Sequence, residues 1–146
     1  MAHNLYKNTM MYTGEKPWHE LGTKLDAPAT AKEAIVASGL NYKVIQAPVL
    51  YKGNPVQEKM FNINQDTDEV LAIVGGRYKI VQNEEAFEFL DSIVASKEAK
   101  YHTAGALGKG ETIWLLAKLP KNILISKDDV VEKYLCLTNS HDGTSA

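Results

Sequence analysis

The 146-residue sequence contains a single cysteine, no long apolar run and no strong excess of charge of either sign. One cysteine excludes an intrachain disulfide, and the position of Cys136 within the apolar stretch Tyr134–Leu137 predicts a buried, unreactive thiol. A formal net charge of -2 at pH 7 provides no overall cationic field that would attract a polyanion. Only a local basic patch is compatible with that total.

The signals of targeting and of membrane insertion are also missing. The first residues, Met1–Asn4, lack the cationic start and the apolar stretch of a signal peptide. No apolar run approaches the roughly 18 residues that a membrane-spanning helix needs. We therefore expect a protein of the cytoplasm, with no membrane partner.

The composition is that of an ordinary globular protein, with 45% hydrophobic and 23% charged residues. A chain of this length can bury one core and rarely divides into two domains. We predict an irregular arm over residues 1–29, with one short strand. Trp18 and Leu21 are predicted to anchor this arm to the core. Residues 30–146 are predicted to form a single α+β domain.

Two main helices are predicted. Thr30 and Glu33 form a capping box, so the first helix spans about residues 31–38. The second helix is predicted to begin at the cap Asn83 and to end near Ser96. Helical spacing predicts that its buried stripe contains Phe87, Phe89, Leu90, Ile93 and Val94.

Alternating apolar residues between turn signals predict strands. The predicted strands lie at residues 42–51, with a break or sheet edge at Pro48, at 59–64, 70–74 and 77–81, in a hairpin at 101–119, and at 134–138. Ser126 and Asp129 predict one further helical turn. The predicted fold class is therefore α+β, with a mainly antiparallel sheet of about five to seven strands and two main helices packed on one face.

Several ordered segments carry a family resemblance. They are Pro17–Gly22, Gly76–Phe87, His102–Gly105, Trp114–Pro120 and Tyr134–Ala146. In this order and spacing, from about Gly14 onward, the chain resembles the phage/plasmid-like protein family built on domain of unknown function 932. The resemblance implies a protein encoded on a phage, plasmid or other mobile element, and it implies that this chain is the N-terminal part of a longer protein. It implies no catalytic residues.

No segment of the sequence matches the complete pattern of a cofactor-binding or metal-binding motif. The glycine-rich segment Gly105–Gly110 lacks the Ser or Thr that follows Gly-Lys in a phosphate-binding loop, so we interpret it as a hairpin turn. His19, His102 and His141 show no metal-ligand spacing. The sequence predicts neither a cofactor nor a metal.

The first candidate site is the polar loop after the last predicted strand, which contains Asn139, Ser140, His141 and Asp142. Loops at strand ends often carry binding or catalytic residues. Side chains of sequence neighbours point apart, however, so these residues alone cannot form a catalytic triad. A polar turn without a functional role is the alternative interpretation.

The second candidate site is a basic and aromatic cluster, Arg77, Tyr78 and Lys79, with Lys100 and Tyr101 on a predicted neighbouring strand. Such a sheet face could stack bases and hold the phosphates of a single-stranded nucleic acid. The alternative is a solvated strand face that contains one buried tyrosine.

Three functions remain open from the sequence. The leading hypothesis is a non-enzymatic binding or accessory domain, with single-stranded nucleic acid in mobile-element DNA metabolism, or another protein, as its partner. A hydrolase or nuclease would place His141 and Asp142 in a pocket with further carboxylates. A host-interaction or structural protein would expose an apolar patch and have no pocket.

Overall fold

Ten strands and two helices make up the part of the chain that the computed structural model describes, namely residues 4–93, 100–119, 123–124, 127 and 130–144. The strands are β1 (Leu5–Thr13), β2 (Thr23–Leu25), β3 (Val44–Tyr51), β4 (Asn54–Asn64), β5 (Glu69–Gly75), β6 (Lys100–Leu107), β7 (Thr112–Lys118), β8 (Ile123–Leu124), β9 (Val130–Val131) and β10 (Tyr134–Ser140). The helices are α1 (Ala31–Ala37) and α2 (Asn83–Ile93). Within the described residues, neither helix has the length and apolarity needed to cross a membrane.

The strands divide between two main sheets. Sheet A has five strands in the order β10-β7-β6-β1-β2, and sheet B has three in the order β3-β4-β5, while β8 and β9 form a short ribbon. Only the pairing of β1 with β2 is parallel among the described strands. The α+β class and the mainly antiparallel pairing are thus confirmed. The prediction of one continuous sheet is wrong, because Pro48 lacks an N–H on β3, where the register also shifts, and β3 ends sheet B as an edge strand.

The main core joins both helices to sheet A. Helix α1 contacts β1 and β6, α2 contacts β7 and β10, and the two helices contact each other. Near the centre, the rings of Phe87 and Tyr101 pack edge to face with 4.8 Å between their centroids. On β7, Ile113, Leu115 and Ala117 are buried in the alternating pattern of a strand with one core-facing side. The finer prediction that both helices cover one face stays a prediction.

Helix α1 begins as its capping box predicts. The Thr30 hydroxyl accepts a hydrogen bond from the backbone N–H of Glu33, whose carboxylate accepts one from the N–H of Thr30. After the helix, Gly39 takes a left-handed conformation with φ 76°, which is the stop that a glycine favours. The first helix prediction is therefore confirmed.

Helix α2 is confirmed as an element, with two differences. Asn83 is its first residue, but the side chain bonds elsewhere and provides no cap. Phe87 and Leu90 are buried as predicted, whereas Phe89 and Ile93 are exposed because they lie outside the narrow stripe that faces the core. The predicted positions of Val94 and Ser96 lie outside the described residues.

The N-terminal segment contains more strand than predicted. Strand β1 has nine residues, most of them buried, and lies between β6 and β2 in sheet A. Its alternation is interrupted because Lys7 and Asn8 take left-handed conformations, which shifts the register with β6 and hides the strand in the sequence. Leu21 packs against the second core cluster as an anchor would, but Trp18 is exposed and the prediction that it anchors the segment is wrong.

Residues 77–81 do not form the predicted strand. Side chains occupy the backbone groups that strand pairing would use: Gln82 both donates to and accepts from the backbone of Val44, and Asn139 donates to the carbonyl oxygen of Val81. The segment is therefore held in an irregular path between sheet B and α2.

The prediction of a buried thiol is also wrong, since Cys136 is exposed. It lies on edge strand β10 between Leu135 and Leu137, and those two side chains pack against the core while Cys136 points to the opposite side. The helical turn predicted at Ser126 and Asp129 lies outside the described residues.

A substitution at Gly105 tests how tightly β6 and β7 are packed in sheet A. It faces Trp114 across the β6–β7 pair, and a Cβ atom at residue 105 would lie 2.3 Å from the indole ring. We expect Gly105→Ala to lower the free energy of unfolding by about 1–3 kcal/mol because the ring must shift within a packed cluster. Denaturant unfolding measures this change. Gly75→Ala is the matched control, since Gly75 has nothing within 4 Å of the added atom, and an equal loss in both variants would contradict the prediction.

Candidate functional site

His141, the central residue of the predicted polar loop, is fully buried at the end of β10. Its backbone N–H donates to the carbonyl oxygen of Glu111 at 2.6 Å, and its own carbonyl oxygen accepts from Asn62 Nδ2 at 2.7 Å. Its ring Nε2 lies 2.8 Å from Asn83 Oδ1. One residue therefore connects the β6–β7 turn of sheet A, strand β4 of sheet B and helix α2.

The partner of the ring fixes the protonation of His141. Asn83 Nδ2 donates to the carbonyl oxygen of Leu40 at 3.1 Å, so Asn83 Oδ1 faces the imidazole and Nε2 must carry the proton. Nδ1 is buried without a hydrogen-bond partner. Burial lowers the pKa of His141 from 6.5 to about 4, although the charge of Asp142 opposes this shift. The side chain is a neutral, enclosed hydrogen-bond donor at pH 7.

Asn62 and Asn83 bond to this histidine, and Asn64 is buried two residues after Asn62 on β4. We call Asn62, Asn64, Asn83 and His141 the His141 cluster. Asn64 Nδ2 lies 3.0 Å from Tyr6 Oη and 3.1 Å from the carbonyl oxygen of Lys109, to both of which it donates. Asn62 and Asn64 therefore attach the inner face of β4 to sheet A through hydrogen bonds.

The rest of the predicted loop forms a turn. The carboxylate of Asp142 accepts hydrogen bonds from the Ser140 hydroxyl and from the backbone N–H of Thr144, the latter at 2.9 Å. Partial burial raises the pKa of Asp142, but the hydrogen bonds together lower it by more than burial raises it. The pKa of Asp142 therefore lies below its usual value. Asn139 lies apart and bonds to Val81. Ser140 and Asp142 thus meet each other, while the imidazole of His141 points into the core.

The predicted nucleic-acid cluster is not brought together on one face. Tyr101 is fully buried, and its hydroxyl donates to the carbonyl oxygen of Phe87 at 3.0 Å and to Asp91 Oδ1 at 2.9 Å. Burial also raises its pKa far above the ordinary value. Tyr101 cannot stack on a base, so its assignment to such a face is wrong.

The other members of that cluster lie at two ends of sheet A. Tyr78 is half-buried, and its hydroxyl donates to the carbonyl oxygen of Ser140 at 3.0 Å. Lys100 is aligned with Lys118, which is aligned in turn with Tyr134 at the other end of β10. Six residues of strand, or about 20 Å, separate Ser140 from Tyr134. Arg77 and Lys79 are exposed and stay available near the Tyr78 end.

The remaining histidines are also separate. His102 Nδ1 lies 2.6 Å from the Thr13 hydroxyl on β1, and His19 Nδ1 accepts a hydrogen bond from the N–H of Leu21. In the described ranges, no group of three or more His, Cys, Asp or Glu side chains is placed to hold a metal ion.

An apolar face of sheet B is the surface that the sequence reasoning missed. Two rows cross the sheet by register, Ile45–Ile63–Val70 and Ala47–Phe61–Ile73, and we call these six residues the outer face. Ile45, Val70 and Ile73 are 38%, 43% and 58% exposed, and none of the six belongs to the two core clusters of the described residues.

The inner face of the same sheet carries two buried asparagines beside the buried apolar residues Val44 and Val74. Alternation along β4 turns Asn62 and Asn64 inward, where both are buried, and turns Phe61 and Ile63 outward. The sequence signal of this inversion is the pattern Phe-Asn-Ile-Asn at residues 61–64, in which asparagine alternates with large apolar residues. Ordinary burial preferences assign the apolar set to the core, and hydrogen-bond partners for the asparagines decide otherwise.

Two depressions on the described surface lie near these elements, one between the helices and one beside the outer face. A groove of about 480 Å³ between α1 and α2 has Leu40 and Phe87 among its lining residues, and the ion pair of Lys43 with Glu84, 2.9 Å apart, lies at it. A second, of about 580 Å³, contains Lys59 and Arg77 together with Glu58, at one end of the outer face.

The depressed pKa of His141 predicts a specific acid sensitivity. The pKa of His141 is about 4 in the folded state and near 6.5 in the unfolded state. The contribution of the neutral imidazole to the free energy of unfolding is therefore fully present above pH 6.5 and is lost as the pH falls towards 4. The expected loss is about 3 kcal/mol. His141→Gln keeps a donor for Asn83 and does not titrate, so the stability difference between wild type and variant should shrink over this window. Urea unfolding at several pH values measures it, and a pH-independent difference would refute the assignment.

Comparison with known proteins identifies one family. The model of the family "Domain of unknown function (DUF932)" matches residues 70–146, just over half of the chain. No curated protein and no solved structure matches the chain. The matched region contains β5 except its first residue, α2, strands β6, β7 and β10 of sheet A, the β8–β9 ribbon, and both His141 and Asn83 of the His141 cluster.

Proposed function

The chain belongs to the DUF932 family, whose function is unknown, and we propose that it is a non-enzymatic domain that binds a protein through the outer face of sheet B. The observation that carries this proposal is the six-residue apolar face with no place in the core clusters of the described residues. A contiguous apolar patch on a protein surface marks an interaction site more often than isolated exposed residues do.

The polar loop supports a binding domain better than a hydrolase or nuclease. A general base must reach the proton that it abstracts, whereas the His141 imidazole is enclosed and bonded to Asn83. Asp142 bonds to Ser140 and Thr144 within its own turn. These residues have an evident role in holding the fold.

Single-stranded nucleic acid is the second candidate partner. Lys59 and Arg77 line one depression beside the outer face, which gives phosphates two cations. Phe61 is the only aromatic member of that face, and the others are aliphatic. Base stacking needs aromatic rings, so the composition of the face favours a protein partner.

The biological setting of the proposal comes from the family resemblance alone. On that basis, we propose a protein encoded on a phage, plasmid or related mobile element that acts in the cytoplasm of a bacterial host. The geometry of the outer face does not depend on this setting.

The proposal predicts that one substitution on the outer face abolishes protein capture. Ile73→Lys places a charge on the exposed β5 side of the patch, where desolvation of the ammonium group opposes docking. Ile93→Lys on α2 is the matched control, because Ile93 is 52% exposed and Ile73 is 58% exposed. We expect immobilised wild type and Ile93→Lys to retain the same protein from a lysate of bacteria that also express this chain, and Ile73→Lys to lose it.

Two outcomes would contradict this proposal. Equal retention by all three chains would show that the outer face is not the binding surface. Salt-sensitive binding of a labelled single-stranded oligonucleotide, measured by fluorescence anisotropy and lost in Lys59→Ala/Arg77→Ala, would instead support the nucleic-acid candidate.

A further inference from the structure

We infer that the outer face of sheet B binds a second copy of this chain, face to face and with the strands of the two copies antiparallel. This inference rests on the proposed function, because it names the protein partner of the same surface. The observations that carry it are the irregular edges of sheet B and the distribution of charge at the two ends of its outer face.

Both edges of sheet B are poorly suited to strand pairing. On β3, Pro48 has no N–H to donate, and the register shifts between Pro48 and Leu50. On β5, the register with β4 shifts where Leu71 is inserted between the partners of Asn62 and Ile63. Bulges and prolines are the devices that protect edges against the addition of another strand. A partner is therefore more easily bound on the apolar outer face than by strand pairing at either edge of sheet B.

The outer face has a basic end. Lys59 precedes Phe61 by two residues on β4 and so lies on the same face. It is aligned with Gly75 at the end of β5, and Arg77 follows one turn later beside the same depression. Both cations are exposed. Glu58 is the one acidic residue among those that line this depression.

The opposite end of the face is acidic. The turn from β4 to β5 carries Asp66 and Asp68, and both are exposed. Lys43 lies at this end but is paired with Glu84 at 2.9 Å. A gradient of charge thus runs along the strands, with the apolar rows between its ends.

Symmetry converts this gradient into self-complementarity. Two copies in a closed dimer are related by a two-fold axis, and the same patch of each copy forms the interface. An axis in the interface plane and across the strands places the basic end of each copy over the acidic end of the other, twice. An axis along the strands would superpose like charges, which repel. The charge pattern therefore selects the antiparallel arrangement.

The size of the face sets the strength of the association. Three strands about 4.8 Å apart and about 17 Å of strand length give a footprint on the order of 250 Å². Stable dimers bury about 800 Å² on each partner. The interface is therefore smaller than that of a stable dimer, and we expect a weak association that depends on the protein concentration.

Sedimentation equilibrium of the purified chain, from micromolar to millimolar concentration, tests this inference. Wild type should pass from monomer to dimer, and Ile73→Lys should remain monomeric while Ile93→Lys dimerises like wild type. The charge-reversal variants K59E/R77E and D66K/D68K should each remain monomeric, because each places like charges at both ends of the interface. An equimolar mixture of the two should dimerise again, since every contact then joins opposite charges.

Circular dichroism checks that each variant is folded, and all four reversed positions are exposed. Wild type that stays monomeric at the highest concentration would overturn the inference, as would charge-reversed chains that dimerise as well as wild type. If wild type is monomeric but still captures another protein through Ile73, the proposed function stands and the second copy is rejected.

Discussion

The hydrogen bond between His141 and Asn83 is the contact on which the arrangement of sheet A, sheet B and α2 depends. Asn83 is held by the carbonyl oxygen of Leu40, and His141 in turn accepts from Asn62 on β4. Buried polar groups are expensive to leave unpaired, so each member of this chain of bonds requires the next. The cluster stabilises one relative placement of the three elements, and protonation of the buried imidazole opposes that placement because a buried charge costs free energy.

The same cluster explains why sheet B exposes apolar residues. Asn62 and Asn64 bond to groups that lie on the side of sheet A, and strand alternation then leaves no direction but outward for Phe61 and Ile63. Exchanging the two faces would leave several buried carbonyl and hydroxyl groups without donors. The binding surface that we propose is thus a consequence of polar contacts on the other side of the sheet.

Local signals in the sequence predicted local structure well. The capping box at Thr30, the β4–β5 and β6–β7 hairpins and the turn at Gly108–Gly110 depend on neighbours in sequence, and all are present. The exposure of Cys136 and the role of Asn83 depend on partners far along the chain.

For the candidate site, sequence reasoning found the polar loop but could not place His141 in the core, because the Asn62 and Asn83 contacts join residues 79 and 58 positions apart. The outer face was not predicted for a related reason, since large apolar residues are assigned to the core by default. Family membership, by contrast, was recognisable from ordered short segments.

The inward orientation of Asn62 and Asn64 on β4 is the central claim, and exchange of side-chain amide protons measured by NMR tests it most directly. Asn62 and Asn64 are fully buried and hydrogen-bonded, whereas Asn54 at the start of the same strand is exposed. The account predicts that the side-chain amide protons of Asn62 and Asn64 exchange with solvent far more slowly than those of Asn54. Equal, rapid exchange at all three asparagines would contradict it, because the polar face of β4 would then be turned towards water.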